Sequence, residues 1–140
     1  MYKRILVTLD GSETAEQILP HVEALNSGGR EIHLLRVAMA HTVPGVDPTE
    51  AQITVVKEAE DYLKQVEERL RKKGLKVESH VRYGHAADEI LDHAEYWKFD
   101  LIAMTTHGRS GVGRWVLGSV TEKVVRGSST PVLVVRSKKD

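Results

Sequence analysis

The chain has 140 residues, of which 41% are hydrophobic and 29% are charged, a balance typical of a globular domain and unlike that of disordered or fibrous proteins. Twenty basic and twenty acidic residues cancel, so no overall field favours nucleic acid or an anionic membrane as a partner. The chain contains no cysteine, which excludes disulfides, thiolate metal sites and cysteine nucleophiles.

The start of the chain, MYKRILVTLDG, has an apolar run too short for the core of a signal peptide. No other segment approaches the length of a membrane span. We therefore expect a single domain over residues 1–140 that resides in the cytoplasm, with no membrane partner.

The first elements in the chain are predicted to be two strands around a helix. The segment KRILVTLD (3–10) is apolar, rich in β-formers and ends at Asp-Gly, which is typical of a buried strand. Ser12 is placed to cap a helix over residues 13–27, in which Pro20 should weaken a hydrogen bond or cause a kink. The segment EIHLLRVA (31–38) predicts the second strand.

The middle of the chain predicts a loop and a long amphipathic helix. The loop is HTVPGVDP (41–48), and its end has Asp47 at a cap position and Pro48 at the first helical position. Lys73-Gly74 is predicted to end the helix. The apolar residues that recur at three- and four-residue spacing within it are Val55, Ala59, Tyr62, Val66 and Leu70.

The last part of the chain continues the alternation of strands and helices. KVESHVRYG (76–84) alternates in polarity and predicts an edge strand, followed by a helix over residues 86–97. DLIAMT (100–105) and TPVLVVR (130–136) predict buried strands, with a helix over residues 119–127 between them.

This pattern predicts an α/β fold. Strands with continuous Val, Ile and Leu runs are buried on both faces, as in a parallel sheet covered by helices. Right-handed crossovers then favour an open, doubly wound, five-stranded parallel sheet of order 3-2-1-4-5 with four helices, which is a Rossmann-like architecture.

A glycine-rich segment separates the last two predicted strands. Residues 106–127 contain five of the eleven glycines. In a sheet of order 3-2-1-4-5 the winding reverses between strands one and four, where ligands of such sheets bind. Asp10 and Gly11 follow strand one, and Met104 and Thr105 end strand four, so these loops are expected to converge on one site.

The composition of the glycine-rich segment favours a phosphate ligand. Glycines allow backbone N–H groups to approach an anion closely, and Ser119 and Glu122 have the spacing of a capping box at a helix N-terminus. Arg109 and Arg114 add local positive charge. The alternatives are that the glycines only form a flexible connection, that the arginines are solvated, and that Asp10 is an ordinary turn residue.

The whole chain resembles the universal stress protein family, specifically its ATP-binding subclass. The similarity is clearest in YKRILVTLDGSETAEQIL and in HGRSGVGRWVLGSVTEKVVRGSSTPVLVVR. The subclass motif is Gly, two residues, Gly, nine residues, then Gly followed by Ser or Thr. Gly108 and Gly118-Ser119 match it, whereas Thr105 occupies the position of the first glycine. The implied fold is Rossmann-like, of the adenine nucleotide alpha hydrolase type.

The resemblance implies binding of ATP together with Mg²⁺. Residues after strand one would border the adenosine, strand two would line the adenine pocket, and the glycine-rich segment would wrap the phosphates. It also implies a homodimer formed through the last strand. The implied nucleotide-binding residues are Thr8, Leu9, Asp10, Val37, Met104, Thr105, His107, Gly108, Arg109, Ser110, Gly111, Gly118, Ser119, Val120 and Thr121.

The chain lacks a Walker motif and a kinase signature, so it is expected to be a nucleotide-binding regulator of stress responses with slow or no hydrolysis. Asp10 and His107 are the candidate catalytic groups. The seven histidines form no ligand set at a recognised metal spacing. The alternatives are a dimeric interaction module that does not bind ATP, which Thr105 motivates, and a slow ATPase or nucleotidyl transferase. A flavodoxin-like electron carrier is disfavoured by the low aromatic content.

Overall fold

The computed structural model describes residues 2–25, 28–106 and 118–138. A short 3₁₀ segment, Ala15–Ile18, precedes the first α-helix. The strands and α-helices, in chain order, are β1 (Arg4–Thr8), α1 (Leu19–Leu25), β2 (Glu31–Ala38), α2 (Pro48–Arg71), β3 (Lys76–Tyr83), α3 (Ala86–Tyr96), β4 (Leu101–Thr106), α4 (Ser119–Gly127) and β5 (Val132–Arg136).

The five strands form one parallel sheet of order β3-β2-β1-β4-β5. This confirms the predicted α/β architecture and strand order. β3 lies at one edge, as its alternating sequence predicted, and β5 lies at the other. The connections from β1 build one half of the sheet through β2 and β3, and β4 returns to pair with the other side of β1, so the winding reverses between β1 and β4.

The helix predicted over residues 13–27 differs in its first half, which is a 3₁₀ turn. An α-helix would use the carbonyl of Glu16 as acceptor for residue 20, but Pro20 has no N–H to donate. The N–H of Leu19 donates to Glu16 instead, in the 3₁₀ pattern, and α1 proper starts at Leu19. Ser12 does act near the predicted point, because its Oγ accepts a 3.1 Å hydrogen bond from the N–H of Ala15.

The start of α2 is the one that the sequence predicted. Asp47 is extended and its Oδ1 accepts a 2.8 Å hydrogen bond from the N–H of Thr49, while Pro48 is the first helical residue. α2 ends at Arg71, and the chain turns at Gly74 with a φ of +85°.

Two apolar layers enclose the sheet. On one face, Leu63, Val66 and Leu70 of α2 pack with inward residues of β1 and β2 and with the 3₁₀ segment. On the other face, Ile90 of α3 and Val124 of α4 pack against the alternate residues of the central strands. The sheet therefore holds the carboxyl ends of β1 and β4 side by side between fixed layers.

Within the described parts of the chain, no helix combines the length and the apolar character that crossing a membrane requires.

Candidate functional site

A cavity of about 150 Å³ lies at the carboxyl ends of β1 and β4, where the winding of the sheet reverses. Its described wall comes from the ends of β1, β2 and β4, the 3₁₀ segment, and the starts of α3 and α4. The residues are Thr8, Leu9, Asp10, Ala15, Leu35, Val37, Ala86, Ile90, Met104, Thr105, Gly118, Ser119, Val120 and Thr121.

Ten of the residues predicted to bind a nucleotide lie on this wall. They are Thr8, Leu9, Asp10, Val37, Met104, Thr105, Gly118, Ser119, Val120 and Thr121. The other five predicted residues lie outside the described part of the chain, and they are His107, Gly108, Arg109, Ser110 and Gly111.

Four residues of the wall were missed from the sequence: Ala15, Leu35, Ala86 and Ile90. Leu35 is two residues before Val37 on the same strand, so strand periodicity alone could have included it. Ala86 and Ile90 are one turn apart at the start of α3, and their place beside the cavity follows from packing of α3 against α4, which the sequence does not specify.

Asp10 is held in a defined turn at the end of β1. Its Oδ1 accepts hydrogen bonds from the N–H of Ser12 (2.9 Å) and from the hydroxyl of Ser12 (2.6 Å). Gly11 has a φ of +90°, and a Cβ there would lie 2.9 Å from Nη1 of Arg36. The turn therefore requires glycine and presents an exposed carboxylate at the mouth of the cavity.

Thr105, at the position of the missing motif glycine, uses its hydroxyl within the protein. Its Oγ1 donates a 3.0 Å hydrogen bond to the carbonyl of Ala15. This bond joins the end of β4 to the 3₁₀ segment, and both residues line the cavity. The threonine that departs from the motif thus has a hydrogen-bond partner within the protein, and it still contributes to the cavity wall.

The N-terminus of α4 faces the cavity, but Ser119 does not cap it as the S-x-x-E spacing predicted. The cap residue is Gly118, and Ser119 is already the first helical residue. The first intrahelical bond runs from the N–H of Glu122 to the carbonyl of Gly118. The N–H groups of Ser119, Val120 and Thr121 therefore have no intrahelical acceptor and carry the positive end of the helix dipole.

A group of histidines lies on the α3 side of the sheet, where β2 pairs with β3. The sequence shows no histidine ligand set at a recognised spacing along the chain, but the fold brings one donor atom each of His33, Glu78 and His80 within 4.8 Å of the others. His33 is distant in the chain from Glu78 and His80 and becomes their neighbour only through the pairing of β2 with β3. The signal that could have found them was the polar residues on one face of both strands.

His93 of α3 packs against the same group and is buried, with 3% of its surface exposed. Burial, together with the neighbouring His80, Arg82 and His33, lowers the pKa of His93 to about 4. Burial is also the largest cause of the lowered pKa of His33 and of His80. These three imidazoles are therefore neutral at neutral pH.

The profile of the universal stress protein family matches residues 1–136. The chain belongs to the universal stress protein family. Universal stress protein MJ0577 of Methanocaldococcus jannaschii is 32% identical over 99% of this chain and 97% of its own length. Universal stress protein MJ0531 of the same organism is 31% identical over 99% of this chain and 85% of its own length.

The solved structure of MJ0577 superposes with a TM-score of 0.87 at 36% identity, covering 100% of this chain and 99% of that one. Two more distant solved structures hold nucleotides. A universal stress protein in complex with cAMP has a TM-score of 0.75 at 20% identity, covering 98% and 99% of the two chains. An Arabidopsis thaliana family member with AMP bound has a TM-score of 0.73 at 16% identity, covering 99% and 94%. At these identities the last two establish the shared fold.

Proposed function

We propose that this universal stress protein binds ATP or a related adenine nucleotide in the cavity between β1 and β4, and that the bound nucleotide sets its interactions in a stress response. The observation that carries the proposal is the arrangement of the wall. An apolar surface, a carboxylate and an open helix N-terminus line one cavity, and these are features that a base, a ribose and phosphates can use.

The apolar part of the wall suits an adenine ring. Leu35 and Val37 of β2, Met104 of β4 and Ile90 of α3 contribute carbon-rich surface. Asp10 lies beside this surface and accepts hydrogen bonds in its own turn. Ribose hydroxyls and the adenine amino group are donors, so a carboxylate at this place is a suitable acceptor for them.

The N-terminus of α4 suits phosphates. Three successive N–H groups, at Ser119, Val120 and Thr121, lie at the positive end of the helix on the cavity wall. An anion placed there gains hydrogen bonds that the helix itself does not use. The adenine nucleotides found in the two distant structural relatives have this same combination of base and phosphate.

Slow or no hydrolysis is part of the proposal. Among the described residues of the wall, Asp10 is the one ionisable side chain, and its Oδ1 is already engaged by Ser12. Phosphoryl transfer needs a positioned water and cations on the γ-phosphate. A Mg²⁺ ion would enter with the nucleotide and be held mainly by phosphate oxygens, because a single carboxylate on the wall is a weak magnesium site.

We also propose that the protein forms a homodimer through β5. β5 is an edge strand, and its apolar side chains are only half-buried in the monomer. The residues that flank it, Pro131 and Ser137, form hydrogen bonds with β4. Successive residues of a strand direct their backbone groups to opposite sides, so the N–H of Val134 points toward the open edge. Val134→Pro removes that N–H and leaves the bonds to β4 in place. Sedimentation analysis should find a folded monomer for this variant and a dimer for the parent; a dimeric Val134→Pro would exclude pairing through this edge.

The proposal on ATP is tested by calorimetric titration of the nucleotide-free protein with ATP and Mg²⁺. We expect saturable binding with a dissociation constant below millimolar. In Ala86→Leu, a larger side chain on the cavity wall should weaken binding by about 1–3 kcal/mol of steric conflict, which is roughly 5- to 150-fold. Ala51→Leu, the same change on the partly exposed start of α2, is the matched control and should bind as the parent does.

Two results would contradict the nucleotide proposal. Absence of saturable binding below millimolar would favour a dimeric interaction module. Equal binding by Ala86→Leu and Ala51→Leu would place the nucleotide elsewhere on the protein.

A further inference from the structure

A cluster of nitrogen and oxygen donors lies on the face of the sheet covered by α3, away from the cavity. His33 of β2 is paired directly with Glu78 of β3, and His80 follows Glu78 on the same face of β3. Nδ1 of His33 lies 2.9 Å from Nε2 of His80 and 3.4 Å from Oε2 of Glu78. The cluster is therefore set by the register of β2 against β3.

We infer that His33, Glu78 and His80 form a binding site for a divalent transition-metal ion, of which Zn²⁺ is the best match. Ligands about 2.0–2.1 Å from a tetrahedral Zn²⁺ are roughly 3.3 Å apart. The distances from Nδ1 of His33 to the other two donor atoms, 2.9 and 3.4 Å, bracket this value. Two imidazoles with one carboxylate suit Zn²⁺ or Co²⁺, whereas Mg²⁺ and Ca²⁺ prefer oxygen ligands alone.

The second nitrogen of His33 gives an independent reason. His33 is 97% buried, being 3% exposed, and its Nε2 has no hydrogen-bond partner among the described residues. Oε1 of Glu31 lies 3.8 Å from this Nε2. If Nδ1 binds a metal, Nε2 carries the proton, and a small movement of the half-exposed Glu31 side chain lets it accept that proton in a hydrogen bond. Metal-bound histidines are commonly oriented by a carboxylate in this way.

The site is accessible from the edge of the sheet. The side chain of Glu78 is 63% exposed, and a surface cleft beside it is also lined by Glu31 and His33. A water molecule can complete the coordination from this side. The ion would join β2 to the edge strand β3 and so stabilise that edge, independently of any nucleotide at the opposite end of the strands.

Arg4 is the cation that opposes a metal at this place. It forms an ion pair with Glu31 at 3.5 Å, and it lies over the ring of Phe99, which also contacts His33. Arg71 and Lys76 also line the adjoining cleft and add positive charge there. Carboxylate oxygens of Glu31 and Glu78 lie 3.8 and 3.4 Å from nitrogens of His33, and these two negative charges beside the imidazoles favour a cation.

The test is titration of nucleotide-free protein, without a histidine tag, with Zn²⁺ and with Co²⁺. We expect one ion per chain, a Co²⁺ absorption spectrum typical of four-coordinate nitrogen and oxygen ligation, and a higher melting temperature with Zn²⁺. Glu78→Gln and His80→Gln should weaken binding at least tenfold. The matched controls are Glu60→Gln on α2 and His21→Gln on α1. Both change exposed residues, and both variants should bind as the parent does.

Two results would overturn the inference: no binding tighter than about 100 µM, or equal binding by the cluster variants and their controls. Glu78 is exposed, so Glu78→Gln is expected to fold, and a loss of binding in that variant cannot be attributed to unfolding. Neither result depends on whether ATP binds.

Discussion

Thr105 offers a specific test of how this chain departs from the family motif. Its hydroxyl donates to the carbonyl of Ala15, a residue that is only 7% exposed. Thr105→Val keeps the shape of the side chain and leaves that carbonyl without its donor, which costs about 1–3 kcal/mol. Thr105→Ser keeps the hydroxyl and should cost less. Thr105→Gly loses the same bond and adds about 0.5–1 kcal/mol of backbone entropy.

Urea unfolding of the three variants measures these differences. The expected order of stability is parent, Thr105→Ser, Thr105→Val and Thr105→Gly. Because the hydroxyl acts on Ala15, Thr105→Val should bind ATP with nearly the affinity of the parent. Unchanged stability of Thr105→Val would refute the structural role of this hydroxyl. If that variant also bound ATP much more weakly, the hydroxyl would act on the nucleotide instead.

Three further predictions concern single positions. Ser119→Ala should leave the free energy of unfolding unchanged, because Ser119 is exposed and does not cap α4. The same variant should weaken ATP binding by about 1 kcal/mol. An equal loss of unfolding free energy and of binding free energy would instead indicate that Ser119 caps the helix. Asp47→Ala should destabilise the protein by about 1 kcal/mol in urea unfolding, through loss of the bond to Thr49, and an unaltered midpoint would contradict this. In metal-free buffer, lowering the pH from 7 to 5 should reduce the free energy of unfolding by about 2 kcal/mol through His93. In the unfolded chain this imidazole has its ordinary pKa of 6.5 and takes up a proton over that range. In the folded protein its pKa is about 4, so it stays neutral. His93→Leu should reduce this slope, whereas Ala94→Gly, a non-titrating change at the next buried position, should not.

The sequence predicted the elements whose signals are local. Asp47 and Pro48 are the cap and the first residue of α2, as the sequence predicted. The apolar runs of the central strands indicated a parallel sheet. The location of the cavity also followed, because the strand order fixes where the winding reverses.

What the sequence could not provide depends on contacts between distant segments. The helix over residues 119–127 begins where it was predicted to, but the S-x-x-E spacing suggested Ser119 as its cap, whereas the cap residue is Gly118. The partner of Thr105 is known only when β4 is placed beside the 3₁₀ segment. The proximity of His33 to His80 arises from the β2–β3 register, which residue spacing along the chain does not reveal.

The central claim is that the N–H groups at the start of α4 bind the phosphates of an adenine nucleotide. An amide proton–nitrogen NMR titration with ATP and Mg²⁺ tests it most directly. The account predicts large, saturable shifts for Ser119, Val120 and Thr121, together with Asp10 and Val37, and smaller shifts at the α4 residues with adenosine alone. Saturable shifts that leave Ser119–Thr121 unchanged, or equal shifts with adenosine and ATP, would contradict it.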